Sequence, residues 1–275
     1  MWCDNTAAAG YNNANEGTEG VVGYWNNAIS LTGYHPPTWK GQVADETFVD
    51  VAISNDGDYV VVAGAGEAGP STVYYWASAT SRSGKSEPYT WAGGVNVIFT
   101  SVDMSCDGDS VIAGARIEPE DHNGGPLAGS VYFWGGATHL IGTPDPSWTY
   151  PTLAPVEDVA INDAGTYMAA VDYEVPDTLY FFDRQGNVLW HDVDIKGAML
   201  SISCDGGTLA VGHYPFTTAY LLDTGYSSPC CGEVEPVGGA VMPVNTLATL
   251  GPWLVVVGLV GCIGTVVVVA KKPKN

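Results

Sequence analysis

TSVDMSCDGDSVIAGAR (100–116), followed by GSVYFW (129–134) and PSW (146–148), is the stretch that decides the fold. The same order recurs on both sides of it. VDVAISNDGDYVVVAGAG (49–66) leads to STVYYW (71–76) and PYTW (88–91). EDVAINDAGTYMAAVDY (157–173) leads to DTLYFFDRQGNVLW (177–190), and MLSISCDGGTLAVGHY (199–214) leads to TAYLLDTG (218–225). The turn glycines Gly57, Gly108, Gly165 and Gly206 are 51, 57 and 41 residues apart. Trp25, Trp76 and Trp134 close the aromatic runs, and Trp39, Trp91, Trp148 and Trp190 follow in a second register. A period of roughly 40–60 residues made of strand-like runs predicts β-propeller blades.

Each piece of the repeat has a physical reason. Alternating apolar residues in V-x-I-S suit a half-buried strand. Asp56-Gly57, Asp107-Gly108 and Asp205-Gly206 stand between two such runs, as a tight hairpin requires; the glycine supplies the positive φ of a type I′ turn. YVVVAG and SVIAGA are small and continuous, as in a strand packed on both faces near the crowded axis. VYYW is the third strand. The last tryptophan belongs to the fourth, where its area fills the space between blades.

CDNTAAAGYN (3–12) matches the second half of SCDGDSVIAGAR, and VVGYW (21–25) and PPTW (36–39) follow in order. The chain therefore reads as an all-β, partial propeller of about five four-stranded repeats over residues 1–225. The first repeat is incomplete and the fifth lacks a final tryptophan. On this reading the sequence is a fragment, with two or three blades and an export signal upstream of Met1.

The formal charge is −21, and residues 1–245 alone carry −24, because the last acid is Glu235 and three of nine basic residues lie in the final five positions. Such a surface repels nucleic-acid phosphates. A Pro/Gly stalk is expected over 226–246 and a transmembrane helix over 247–270, a stretch of 24 residues without a charge. Trp253 sits where an indole prefers the interface. Lys271, Lys272 and Lys274, in the basic tail 271–275, place that end in the cytoplasm and the acidic portion outside.

Asp183-Arg-Gln-Gly186-Asn-Val-Leu-Trp190 resembles the D-x-x-G-x-x-x-W pattern of PQQ-type repeats, and Ser203 to Gly212 resembles the opening of such repeats. The resemblance is to the quinoprotein-like and WD40-like propeller superfamily and covers roughly residues 1–225. The Trp-Asp ending of true WD40 repeats is absent: the dipeptides are Trp76-Ala, Trp134-Gly and Phe182-Asp. The carboxylate and vicinal-disulfide constellation of a working PQQ dehydrogenase is also missing. The C-terminal segment is similar to the stalk and anchor of archaeal cell-surface proteins.

No catalytic or cofactor-binding residue is assigned, and no cofactor is expected. ATSRSGKS (79–86) satisfies a loose nucleotide-loop pattern, but EPYTW follows it where a helix would be needed, so a hairpin loop is expected. His35, His122, His139, His191 and His213 are scattered. Asp121-His122, in the acidic loop Glu118 to Gly129, is the one place where weak divalent-cation binding, such as calcium, is conceivable. Cys3, Cys106 and Cys204 share one slot in three repeats and are read as small packing residues. Cys230 and Cys231 are read as free thiols or a cross-link to another chain. The function expected is a binding module at the cell surface with protein or surface-glycan partners and neither nucleic acid nor nucleotide. The alternatives are part of a quinone-dependent dehydrogenase or propeller hydrolase, and a structural envelope component.

Overall fold

The computed structural model describes residues 6–9, 19–32, 35–66, 71–92, 94, 96–118, 128–173, 177–193, 195, 197–213, 218–230 and 270–271. Five four-stranded sheets account for them. The first contains β1 (Thr6–Ala9), β2 (Glu19–Trp25) and β3 (Trp39–Ala44). The second is β4 (Glu46–Ile53), β5 (Val60–Gly66), β6 (Thr72–Trp76) and β8 (Tyr89–Ala92). Between β6 and β8 the short β7 (Gly84–Ser86) crosses over and pairs parallel with β3, completing the first sheet. The third sheet is β9 (Val97–Met104), β10 (Ser110–Ile117), β11 (Ala128–Gly135) and β12 (Trp148–Thr152). The fourth is β13 (Val156–Ile161), β14 (Tyr167–Asp172), β15 (Leu179–Asp183) and β16 (Val188–Asp192).

The fifth sheet holds β17 (Met199–Ile202), β18 (Thr208–His213) and β19 (Thr218–Asp223). Its fourth member is β20 (Ala270–Lys271), which runs parallel to β19. The second, third and fourth sheets are antiparallel meanders in chain order. Their first strands neighbour one another: β9 lies against both β4 and β13, and β17 follows β13. The sheets thus fan from a shared inner edge, a propeller-like all-β fold. No α-helix occurs among the described residues.

The strand order within a repeat follows the sequence reading, and the turn type is corrected. The innermost strands are the V-x-I-S strands. The small-residue runs form the second strand, covered on both faces: Val60–Ala63, Val111–Ala113 and Met168–Val171 are buried. Gly114 on β10 shows why size matters there, since a Cβ would lie 2.5 Å from Cγ1 of Val156 on the neighbouring sheet.

The turns are not type I′. Only the glycine has positive φ (Gly57 72°, Gly108 70°, Gly165 63°, Gly206 77°). Each turn closes with a glycine N–H bonded to the carbonyl three residues back, for example Gly57 N to Ser54 O at 2.9 Å. That is a type I turn followed by a left-handed residue, the form usual in longer hairpin loops.

The aromatic registers meet between sheets. Trp39, Trp91, Trp148 and Trp190 stack on Tyr24, Tyr75, Phe133 and Phe181 of their own sheets, with ring centroids 5.1, 4.9, 5.1 and 5.2 Å apart. Trp39, Trp91 and Trp148 also reach the next sheet's Trp76, Trp134 and Phe182 at 6.0, 5.3 and 5.6 Å. Trp39, Trp76, Trp91 and Trp134 are fully buried; Trp25, Trp148 and Trp190 are half-buried.

The expected stalk is described only at 226–230. Trp253, Lys272, Lys274 and most of the expected membrane segment lie outside the described residues. Ala270, assigned to that helix, and Lys271 are extended beside Leu221 and Leu222. No helix among the described residues is long and apolar enough to cross a membrane.

Candidate functional site

The inner edge of a fan of sheets has a local problem. Every first strand presents unpaired backbone N–H groups that no ladder satisfies. Here carboxylates from the neighbouring sheet satisfy them. Asp50 Oδ2 on β4 accepts from Val102 N on β9 at 2.9 Å. Asp158 Oδ2 on β13 accepts from Leu200 N on β17 at 2.6 Å. Ser101 fills the same position on β9, and its Oγ accepts more weakly from Val159 N at 3.4 Å. Two residues further along β9, Asp103 Oδ2 accepts from Ile161 N at 2.9 Å.

A repeated irregularity aims these side chains. The ladders between first and second strands skip one residue at equivalent places: between Phe48 and Asp50, opposite Gly114/Ala115 in the third sheet, and between Val156 and Asp158. A β-bulge turns the following side chain out of its regular direction, and the residues that follow are Asp50, Ser101 and Asp158. They meet: Ser101 Oγ lies 2.9 Å from Asp50 Oδ2 and 2.7 Å from Asp158 Oδ1. In the fifth sheet the position is Met199, which is exposed, and the ladder has no bulge.

Burial raises the proton affinity of Asp103 and Asp158. Desolvation pushes Asp103 up to about 7 against the pull of the Ile161 and Met104 amides, with Asp50 and Asp158 adding to the rise. Asp158 is raised for the same first cause, opposed by Leu200, Ser101 and Val159. The site can hold protons and order backbone amides. Among the described residues no group of three or more acidic, histidine or cysteine side chains is arranged to hold a metal ion.

A second set of acids lies at the other end of the strands. Tyr74 Oη donates to Glu46 Oε1 at 2.7 Å, and Tyr180 Oη donates to Asp172 Oδ2 at 2.9 Å. Burial raises both carboxyls, and Tyr180 is pushed up to about 12.

The sequence-selected turn residues form a third, purely architectural set. Ser54 Oγ donates to Asp56 Oδ1 at 2.7 Å, and the carboxylate takes the Asp58 N–H at 2.9 Å. Ser105 with Asp107 and Ser203 with Asp205 repeat the arrangement. The Ser203 hydroxyl and the Gly207 N–H hold Asp205 below the usual carboxylate range. At Gly165, where serine and aspartate are missing, Asn162 Oδ1 alone takes the N–H groups of Thr166 and Tyr167 at 2.8 and 2.9 Å.

The cysteine reading needs correction. Cys204 is bonded to Cys230, with Cα atoms 5.1 Å apart. Cys106 is also disulfide-bonded. The shared slot sits at a turn tip, within reach of a passing segment, so spacing between equivalent slots did not decide the pairing. The bridge holds residues 224–230 over the fourth and fifth sheets. Ser228 N donates to Asp205 O at 2.7 Å, Asn162 Nδ2 donates to Ser228 Oγ at 2.8 Å, and Tyr226 packs on Tyr167 and Phe181.

Of the remaining residues singled out in the sequence, Gly84–Ser86 is strand β7 rather than the start of a helix. His139 lies 3.9 Å from Asp109 and is largely exposed. Asp121 and His122 lie outside the described residues. The inner-rim acids were missed. The available signal was an aspartate recurring within alternating V-D-V and E-D-V strands, which reads as a solvent-facing residue.

No protein-family model matches the chain. No curated protein matches it either. Solved structures do: 727 chains are similar. Among them is Kuenenia stuttgartiensis hydrazine synthase, with a TM-score of 0.53 and 12% sequence identity, covering 75% of this chain. This chain spans 65% of that one. At that identity the likeness concerns the fold.

Proposed function

We propose that this chain is a propeller-like binding module displayed outside the cytoplasm and tethered by its apolar C-terminal segment, with a protein or surface-glycan partner. The observation that carries the reading is the Cys204–Cys230 disulfide, accompanied by a second bonded cysteine, Cys106. Disulfides persist in oxidising compartments and are rare in a reducing cytosol. The −21 charge keeps such a surface soluble and favours partners other than nucleic acid.

The contact surface on this reading is the end of the fan opposite the Asp-Gly turns. Antiparallel order puts the β12–β13 and β14–β15 connections together at that end. They carry Leu153, 84% exposed, and Tyr173, 58% exposed. Tyr173 N donates to Pro155 O at 2.9 Å, which holds the two connections side by side. Large exposed apolar side chains on adjoining loops are what a protein or sugar face packs against.

Tethering requires Ala270–Lys271 to leave β19. Strand hydrogen bonds there are worth about 1 kcal/mol each. Residues 247–270 contain thirteen Val, Leu and Ile residues, each favoured by about 0.3–0.6 kcal/mol at the centre of a bilayer. The bilayer therefore wins when one is present.

Protease added to intact cells that express the full chain tests the reading. Removal of the acidic portion, with a non-reducing peptide map that contains the Cys204–Cys230 linkage, supports it. Full protection, with both thiols alkylated without reductant, overturns it. A rise in melting temperature on adding PQQ points instead to the dehydrogenase alternative.

A further inference from the structure

Ser101 stands between two carboxyl groups with a single hydroxyl proton. Its Oγ lies 2.9 Å from Asp50 Oδ2 and 2.7 Å from Asp158 Oδ1. A hydroxyl donates one hydrogen bond. The other short oxygen–oxygen contact is attractive only when the carboxyl itself carries a proton and donates it to the serine lone pair. We propose that Asp50, Ser101 and Asp158 share one bound proton that locks three successive blades together at their inner edge, and that its loss at higher pH loosens this joint.

The two carboxyls have matching partners. Asp50 Oδ1 accepts from Val51 N at 2.8 Å, and Oδ2 accepts from Val102 N at 2.9 Å while also facing Ser101. Asp158 Oδ1 accepts from Val159 N at 2.9 Å while also facing Ser101, and Oδ2 accepts from Leu200 N at 2.6 Å. Asp158 is the buried acid whose charged form desolvation disfavours. A proton on Asp158 Oδ1 gives one continuous direction: Asp158 to Ser101, Ser101 to Asp50, with Val102 N also donating to Asp50. Oδ2 of Asp158 remains free to accept from Leu200 N.

Among the described residues, the groups facing the joint are acidic or neutral. β4 brings Asp50, β9 brings Asp103 two residues from Ser101, and β13 brings Asp158 with its neighbour Glu157. β17 (Met-Leu-Ser-Ile) brings the Leu200 amide and no titratable side chain. Among the described residues the cation acting nearby is Arg116, which lowers the proton affinity of Glu157, and no cation joins the hydrogen bonds of the joint. Deprotonation then leaves two carboxylates against one hydroxyl, and Coulomb repulsion between them adds to the lost bond.

The sign follows from linkage. A folded state that binds a proton the unfolded chain releases loses stability as pH rises through that window. Two measurements test the proposal. In the native protein, carboxyl carbon shifts of ¹³C-labelled aspartates are followed from about pH 4 to about pH 9. Burial also raises Asp103, Asp163 and Asp172, so resonances are assigned with single Asp→Asn variants. One further resonance, lost or shifted in Asp158→Asn, is expected to titrate above the ordinary aspartate range; if no resonance of the Asp50–Asp158 pair does so, the proposal fails. In Asp158→Asn, which keeps an acceptor and adds a permanent donor, the fall in melting temperature between about pH 5 and about pH 8 should shrink relative to the native protein. An unchanged slope overturns the shared proton.

Discussion

Neighbouring blades adhere by opposite chemistries at their two edges. Near the axis, Asp50, Ser101, Asp103 and Asp158 reach across to backbone amides of the next sheet. Toward the outside, Trp39, Trp91 and Trp148 lie between a ring of their own sheet and a ring of the next. The difference follows from geometry. Wedge-shaped gaps widen outward, and an indole supplies the area to fill them. At the innermost edge the unpaired strand must be satisfied by acceptors. The fifth sheet breaks both habits: Met199 replaces the acid, no tryptophan packs beside β19 among the described residues, and Leu221 is 41% exposed.

The largest effect should come from the outer edge. Trp91→Ala removes a fully buried ring stacked on Tyr75 and tilted against Trp134 and should cost about 3–5 kcal/mol in a denaturant melt. Trp91→Phe should cost less, since the indole N–H has no hydrogen-bond partner to lose. At the inner edge, Asp50→Ala strands the Val102 amide and leaves the Ser101 hydroxyl with Asp158 alone, and should cost about 1–3 kcal/mol, with Asp50→Asn milder. An Asp50→Ala loss as large as that of Trp91→Ala would mean the rim, not the rings, dominates adhesion.

Of the two adhesive edges, the inner one carries the pH dependence. Asp103 is raised to about 7 in the folded protein. Its protonated form therefore favours folding below the ordinary carboxylate range, and that contribution is lost as pH rises through about 7. Asp103→Asn should flatten the stability profile between about pH 5 and about pH 8, whereas Trp91→Phe should shift the profile without changing its slope. The smallest effect is expected at Leu221→Ala, within about 0.5 kcal/mol. It occupies the same strand position as Phe181, whose removal should cost about 3–5 kcal/mol. A large loss at Leu221 would show that β20 covers that edge firmly.

Local chemistry made the outer edge legible. Trp76, Trp91 and Trp134 announce themselves because few places other than a core accept such area, and Gly57, Gly108 and Gly206 because a left-handed residue after a turn favours glycine. Asp50 and Asp158 stayed hidden because an acid in an alternating strand has the same pattern whether it faces water or a neighbouring amide. Cys204 was misread for a related reason: its partner, Cys230, lies in a segment with no periodicity, and only its path over the fourth and fifth sheets brings the sulfurs together.

Period, turn chemistry and aromatic register alone were enough to specify repeated all-β sheets, because each depends on residues within a few positions of one another. Which strand is innermost, where the bulges re-aim the acids, and that Ser101 meets two carboxyls were decided by tertiary structure. Those contacts join residues more than fifty positions apart, and nothing in one repeat records the angle at which the next repeat packs against it.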